Sequence, residues 1–186
     1  MLDDPRYTVP PVPDAVEGVA WLRASVARFS EGAAHERRRM LAVAALAEVE
    51  PERLRDLAMT RKATPVEVLA EALGVDVVAA DVEVVARSYQ PHTAITREAD
   101  EALGRLVAAC GKYDEATANL IGLLVQACVA TAALVAGVRP PVPSTRRVGP
   151  DGVEVEVDLA DHPFGLGRHA CPGERHALAL AEGLTR

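Results

Sequence analysis

The stretch NLIGLLVQACVATAALVAGV, residues 119–138, decides the architecture. It is nearly long and apolar enough to cross a bilayer. Asn119, Gln126 and Thr131 interrupt it, and its flanks lack the paired aromatics and strong basic cluster that mark a membrane-spanning helix. It therefore reads as a helix buried on all sides inside a protein core. Asp114 supplies the N-cap of a helix over residues 115–136, roughly 33 Å long at the usual rise per residue. Gly137 and the prolines at 140, 141 and 143 end it.

Working outward, helical signals dominate. In residues 14–29, Val16, Val19, Leu22, Val26 and Phe29 recur at helical spacing, and Ser30-Glu31-Gly32 breaks the run. Helices are expected over residues 33–49 and 51–59. Thr64-Pro65-Val66-Glu67 is a capping box with proline at the first helical position, opening a helix that stops at Gly74. Further helices are expected over residues 77–87, 96–111 and 172–184. One hairpin interrupts them: Arg146 to Val148, the turn Gly149-Pro150-Asp151-Gly152, then Val153, Val155 and Val157 alternating with acids. The expected class is mainly α, one domain over residues 1–186, with a long central helix and one small β-hairpin.

Composition narrows the function classes. The chain has 186 residues, a net charge of -7, one Trp, two Phe and three Tyr. An acidic balance disfavours a nucleic-acid surface. Arg37, Arg38 and Arg39 cluster, as do Arg146 and Arg147, which reads as solvated charge or as local anion sites. Cys110, Cys128 and Cys171 lack the spacing of a disulfide framework or a zinc site. The Pro-rich opening MLDDPRYTVPPVP has no signal-peptide pattern. A cytoplasmic, reducing setting is the expectation.

The densest run of constrained residues is Phe164-Gly165-Leu166-Gly167-Arg168-His169-Ala170-Cys171-Pro172-Gly173. Two glycines permit a tight loop with exposed backbone N–H groups. Cys171 is then expected at a helix start, where the dipole and free amides lower a thiol's pKa. A buried structural cysteine after a Gly-rich turn is the alternative reading for an isolated residue of this kind.

The run resembles, position for position, the haem loop of the cytochrome P-450 family, Phe-Gly-x-Gly-x-His-x-Cys-x-Gly. The resemblance implies haem b (iron protoporphyrin IX) with Cys171 as its axial metal ligand. It implies that His169 contacts a haem propionate, that Phe164 and Gly165 shape the loop around the sulfur, and that Gly173 lets the haem face approach. RFSEGAAHERRR, residues 28–39, is similar to the bacterial family's helix that carries a His and, four residues on, an Arg: here His35 and Arg39. PPVPSTRRV, residues 140–148, is similar to the strand that offers another propionate-binding Arg, here Arg146. MLDDPRY and SYQPHTAITREADEAL also look like bacterial members. Two propionates need paired cations when buried, which gives the Arg clusters a purpose.

The chain departs from the family in two places. LLVQACVATAALV looks like the family's central helix over the iron. The acid-alcohol pair that delivers protons there is replaced by Val129 and Ala130, with Thr131 next and Ala127 also expected to face the haem. Proton delivery needs a group within hydrogen-bond reach, so Thr131 is the one catalytic candidate. The stretch from Gly137 to Ala170 is too short for the family's Glu-x-x-Arg helix and strands; Glu50 and Arg53, or Glu36 and Arg39, have that spacing but lie too early.

The leading expectation is a compact haem-thiolate oxidoreductase acting on a small organic substrate, peroxide-driven because the distal acid is missing. A non-catalytic haem sensor or carrier is the second reading, and a decayed remnant of the family the third. A ferredoxin-type electron donor, greeted by Arg168 and Arg175, and a second copy of the chain covering the haem are the expected partners; neither nucleic acid nor a membrane is.

Overall fold

A computed structural model describes residues 1–61 and 63–186. Among the described residues there are eight α-helices and one antiparallel hairpin: α1 Gly18–Ser25, α2 Gly32–Ala47, α3 Pro51–Thr60, α4 Pro65–Ala72, α5 Ala79–Arg87, α6 Arg97–Cys110, α7 Glu115–Val135, β1 Ser144–Val148, β2 Glu154–Asp158 and α8 Glu174–Leu184. The architecture is mainly α with one small hairpin, as the sequence pattern requires.

The cap chemistry explains most boundaries. Thr64 accepts from the Glu67 amide while the Glu67 carboxylate accepts from the Thr64 amide, a complete capping box. Thr96 and Asp114 cap α6 and α7 through the amides of Ala99 and Thr117.

The first helix is shorter than expected. Residues 14–17 stay outside it, and Val16 is 85% exposed. Gly18 sits at φ +66°, and a carboxylate from a distant helix supplies the cap: Asp100 Oδ1 on α6 accepts from the Val19 amide at 2.8 Å. A 3-10 turn over Ala27–Phe29 then leads toward α2.

The main core gathers Trp21, Leu22, Leu54, Val68, Val85, Tyr89, Leu103, Leu106, Ile121, Leu124 and Leu180. Helix α7 crosses its centre, but it is not buried on all sides. It is long and apolar enough to cross a membrane, with a mean hydropathy of 2.0, and 44% of that stretch is buried inside the fold. Its first half supplies Ile121, Gly122, Leu124 and Val125 to the interior; in its second half Thr131 and Leu134 are buried while Val129 is 62% exposed.

The hairpin pairs Arg147 with Val155 and Arg146 with Glu156. Thr8 extends it by an isolated bridge to Val148, so the N-terminal segment lies along β1. Leu2, Val157 and Leu159 form a small second core there. This brings the N-terminal segment against the loop that precedes α8.

Candidate functional site

The loop between β2 and α8 is closed by its own backbone. The Cys171 amide donates to Phe164 O at 2.7 Å, the Gly165 amide to His162 O at 2.8 Å, and the Ala170 amide to Gly167 O at 3.0 Å. Gly165 and Gly167 take φ of +75° and +68°, which a side chain would strain. Gly167 has a second reason to be glycine: a Cβ there would meet Asp3, with its Cα 3.1 Å away.

Glu31, the N-cap of α2, ties this loop to the rest of the molecule. Its carboxylate accepts from the Val9 amide at 2.7 Å and from Arg168 Nε at 3.0 Å, and lies 3.2 Å from His169 Nε2. Arg168 also donates to Tyr7 O at 2.6 Å. Arg168 is therefore half-buried and bonded to Glu31 and Tyr7, while Arg175 is exposed. One turn along α2, His35 is buried and its ring packs at a tilt of 52° on that of His169, 4.3 Å between centroids. One turn further, Arg39 Nη1 donates to Ala170 O at 2.7 Å. The residues expected as one cluster from two distant segments, His35, Arg39, His169 and Cys171, thus meet.

Arg146 does not join them. It is exposed on the outer face of β1, with its Nη1 2.6 Å from Glu154 Oε1. Its neighbour Arg147 is buried and turns toward the cluster, donating to Thr145 Oγ1 and Arg146 O. A one-residue step in a strand reverses the face, so the inward arginine is Arg147. Among the described residues no carboxylate pairs with it. Arg28, which no motif singled out, is the other addition. Its Nε is buried with no hydrogen-bond partner, and its guanidinium lies 5.8 Å from the Phe29 ring. Its charge is felt by Cys171, Arg147 and Tyr89 alike.

Four guanidinium groups, Arg28, Arg39, Arg147 and Arg168, act on this region, and only Arg168 is paired with its carboxylate, Glu31. Burial, then the charge of Arg28, lowers the pKa of Arg147. Burial, then the neighbouring His35, pushes His169 down to about 4 against the pull of Glu31. Burial and Arg39 likewise lower His35. Both imidazoles are therefore neutral at pH 7. Burial acts to raise Glu31, and the bonds from Arg168 and Val9 outweigh it, so it stays ionised.

Cys171 lies three residues before α8, not within its first turn. The residue is exposed, yet desolvation pushes its thiol up from the ordinary value. The nearby Gly173 backbone amide and the charges of Arg28 and Arg39 pull the other way without reversing the shift. The expected depression of the thiol pKa by a helix start is thus not present. A metal ion at the sulfur would supply it, since coordination deprotonates a thiol outright.

Other expected contributors lie apart. Gly173 faces Leu46 on α2, 3.4 Å from where its Cβ would be. Phe164 is half-buried and gives its carbonyl to the loop closure. Ala127 packs against the main core. Ala130 is half-buried and Thr131 fully buried; no hydrogen bond among the described residues joins them to the loop. Beside Cys171 runs a cavity of about 410 Å³ between α2, α3 and α8, lined in part by Leu46, Val49, Pro51, Pro172 and His176.

Among the described residues no three His, Cys, Asp or Glu side chains converge as a metal cage. No family model, no curated protein and no solved structure matches this chain.

Proposed function

We propose that this chain is a compact haem-thiolate oxidoreductase of the cytochrome P-450 type, acting on a small organic substrate. The observation that carries the reading is the charge imbalance near Cys171: of four guanidinium groups, Arg28, Arg39, Arg147 and Arg168, only Arg168 has a carboxylate partner among the described residues. A buried cation such as Arg147 calls for an anion. Haem b offers two carboxylates for them and an iron for the sulfur. The orphaned Nε of Arg28 and the carboxylate-free Arg147 fit that group.

In this reading Cys171 would ligate the iron, and the Gly173 amide and the nearby Arg28 and Arg39 charges would stabilise its thiolate. Arg147, Arg39 and His35 would hold the carboxylates; His169, whose single N–H as a neutral ring faces Glu31, would join them once protonated. Glu31 keeps Arg168 and His169 in place. Haem, when bound, supplies the redox chemistry. The second half of α7 presents Ala127, Ala130 and Thr131 and carries no carboxylate; the acid of that helix, Glu115, is engaged by Arg37 and Arg38. A peroxide, which brings its own oxygen, protons and electrons, suits such a site better than a donor-fed route that needs a proton relay. The same absence favours a haem carrier or sensor as the second reading.

Titrating the purified chain with haemin, then reducing it under carbon monoxide, separates the outcomes. A red-shifted Soret band typical of thiolate ligation, lost in Cys171→Ala, is expected. Failure to take up haem sinks both readings. Firm uptake with no turnover of peroxide and trial substrates selects the carrier or sensor.

A further inference from the structure

The molecule has two cores of unequal size. Among the described residues, the main one draws only on residues 12–128 and on Leu180 and Leu184 of α8. Residues 1–9 and 140–170 stand outside it and share the small core of Leu2, Val157 and Leu159, with Val142 and Val155 packed beside them. Neither strand of the hairpin packs extensively on any helix among the described residues. The N-terminal segment belongs to this second body. Thr8 and Val148 exchange both backbone bonds, at 3.0 and 2.8 Å, Arg168 donates to Tyr7 O at 2.6 Å, and the Asp3 Cα lies 3.1 Å from where a Gly167 Cβ would be.

One face at the start of α2 joins the second body to the helices. Glu31, His35 and Arg39 recur every four residues and so share that face. Glu31 accepts from the Val9 amide and Arg168 and contacts His169, the His35 ring packs on His169, and Arg39 donates to Ala170 O. Most of these links are polar, and water replaces such bonds at small net cost. The chain passes between the bodies at three places: Pro10 to Pro13, Gly137 at φ +76°, and Cys171 to Gly173. None of them lies inside a helix or strand, which is where hinges are found. The division also splits the cationic cluster. Arg147, Arg168 and His169 ride on the second body, whereas Arg28, His35 and Arg39 belong to the helical one.

A two-stranded hairpin on so small a core is marginal by itself, and units of this kind open below the free energy of global unfolding. We infer that residues 1–9 and 140–170 form a flap that opens from α2 as a unit, parting the cationic cluster, and that a ligand whose carboxylates engage both halves holds it shut. Only the identity of that ligand rests on the haem-thiolate reading; the flap itself belongs to the chain. Opening gives a flat, bulky cofactor a way in between Arg147 and α2. The cofactor's own charges then complete the closure that Glu31 begins.

Native-state hydrogen exchange of the full chain, followed amide by amide, tests this. Without haemin, the amides of Thr8, Val148 and Leu159, which are bonded inside the flap, should exchange together. They should do so on the order of a hundredfold faster than those of Leu103 and Leu124 in α6 and α7. Glu31→Gln should speed the flap amides about tenfold. Ile121→Val, in the main core, should speed Leu103 and Leu124 several-fold and leave the flap amides unchanged, because the core stays folded when the flap opens. Equal acceleration of both sets by Ile121→Val, or no response of the flap to Glu31→Gln, overturns the flap. Haemin should slow the flap amides at least about tenfold, and haemin dimethyl ester, which lacks the charges, should slow them far less. Equal protection by the two, or haemin binding without protection, overturns the closing role of the carboxylates. A flap that opens separately in a chain that takes no haemin would stand, and the haem reading alone would fall.

Discussion

His35 and His169 pack ring against ring at a tilt of 52°, with centroids 4.3 Å apart, joining α2 to the Cys171 loop, and burial favours the neutral form of both. The His169 pKa falls to about 4 in the folded chain, from the ordinary 6.5 when unfolded. Between those values the unfolded chain binds the extra proton. Stability is therefore complete above about pH 6.5 and drains as pH falls toward 4, by on the order of 2 kcal/mol from His169 after allowance for partial exposure. His35 adds in the same direction. Glu31, held below its ordinary value, adds a further loss as pH falls through its folded pKa. Urea unfolding at pH 7.5, 6.0 and 5.0 checks this, and His169→Gln should flatten the slope. Cofactor carboxylates beside the imidazoles would raise both pKa values, so the haem-loaded protein should lose less over the same range.

Arg146 and Arg147 make a matched pair of probes. Arg147→Met should weaken haemin binding by about tenfold or more, the usual consequence of losing a charge-assisted bond in a shielded site. Arg146→Met removes only an exposed pair with Glu154, and should change haemin affinity less than threefold. Equal effects of the two substitutions would place the cofactor's carboxylates elsewhere.

The two arginines also show what the sequence could and could not reveal. The alternation of Val153, Val155 and Val157 announces a half-buried strand, and the turn 149–152 announces a hairpin. Which arginine faces inward depends on register, and the register sets Arg147 opposite Val155. Helix boundaries marked by a local cap, at Thr64, Thr96 and Asp114, were legible to within a residue or two. The start of α1 was not, because its cap is Asp100, far along the chain. The His35, Arg39, His169 and Cys171 cluster was legible because its spacing resembles a known haem site. Arg28 has no such spacing; only its missing partner in three dimensions distinguishes it. The half-exposed face of α7 was hidden as well, since a uniformly apolar sequence does not say how much of it finds a partner.

Thiol accessibility offers a readout independent of colour or turnover. Desolvation raises all three thiols, but Cys171 is exposed whereas Cys110 and Cys128 are half-buried. Iodoacetamide at pH 8 should label Cys171 first. Prior loading with haemin should protect it while leaving the slower labelling of the other two unchanged, because a coordinated sulfur no longer attacks. Labelling of Cys171 at the same rate in both forms would remove it as the ligand.

The position of Cys171 depends in turn on where α8 docks, and Gly183 controls that docking. Helix α8 packs so closely on α3 that a Cβ at Gly183 would sit 2.7 Å from the Ala58 Cβ and against the Arg55 carbonyl. Backbone on one side leaves no flexible group to yield, so Gly183→Ala must force the two helices apart. Overpacking of this kind costs about 1–3 kcal/mol, a fall in melting temperature of roughly 2–12 °C for a chain of this size. Leu180, buried one turn earlier against the main core, would lose packing in the same movement. Because α8 follows the loop directly, the shift should also lower haemin affinity although Gly183 touches neither Cys171 nor any of the cationic residues. Differential scanning calorimetry together with a haemin titration checks both parts. An unchanged melting temperature would show that α3 and α8 do not approach this closely, and an unchanged affinity that the loop is held by Glu31 and Arg39 alone.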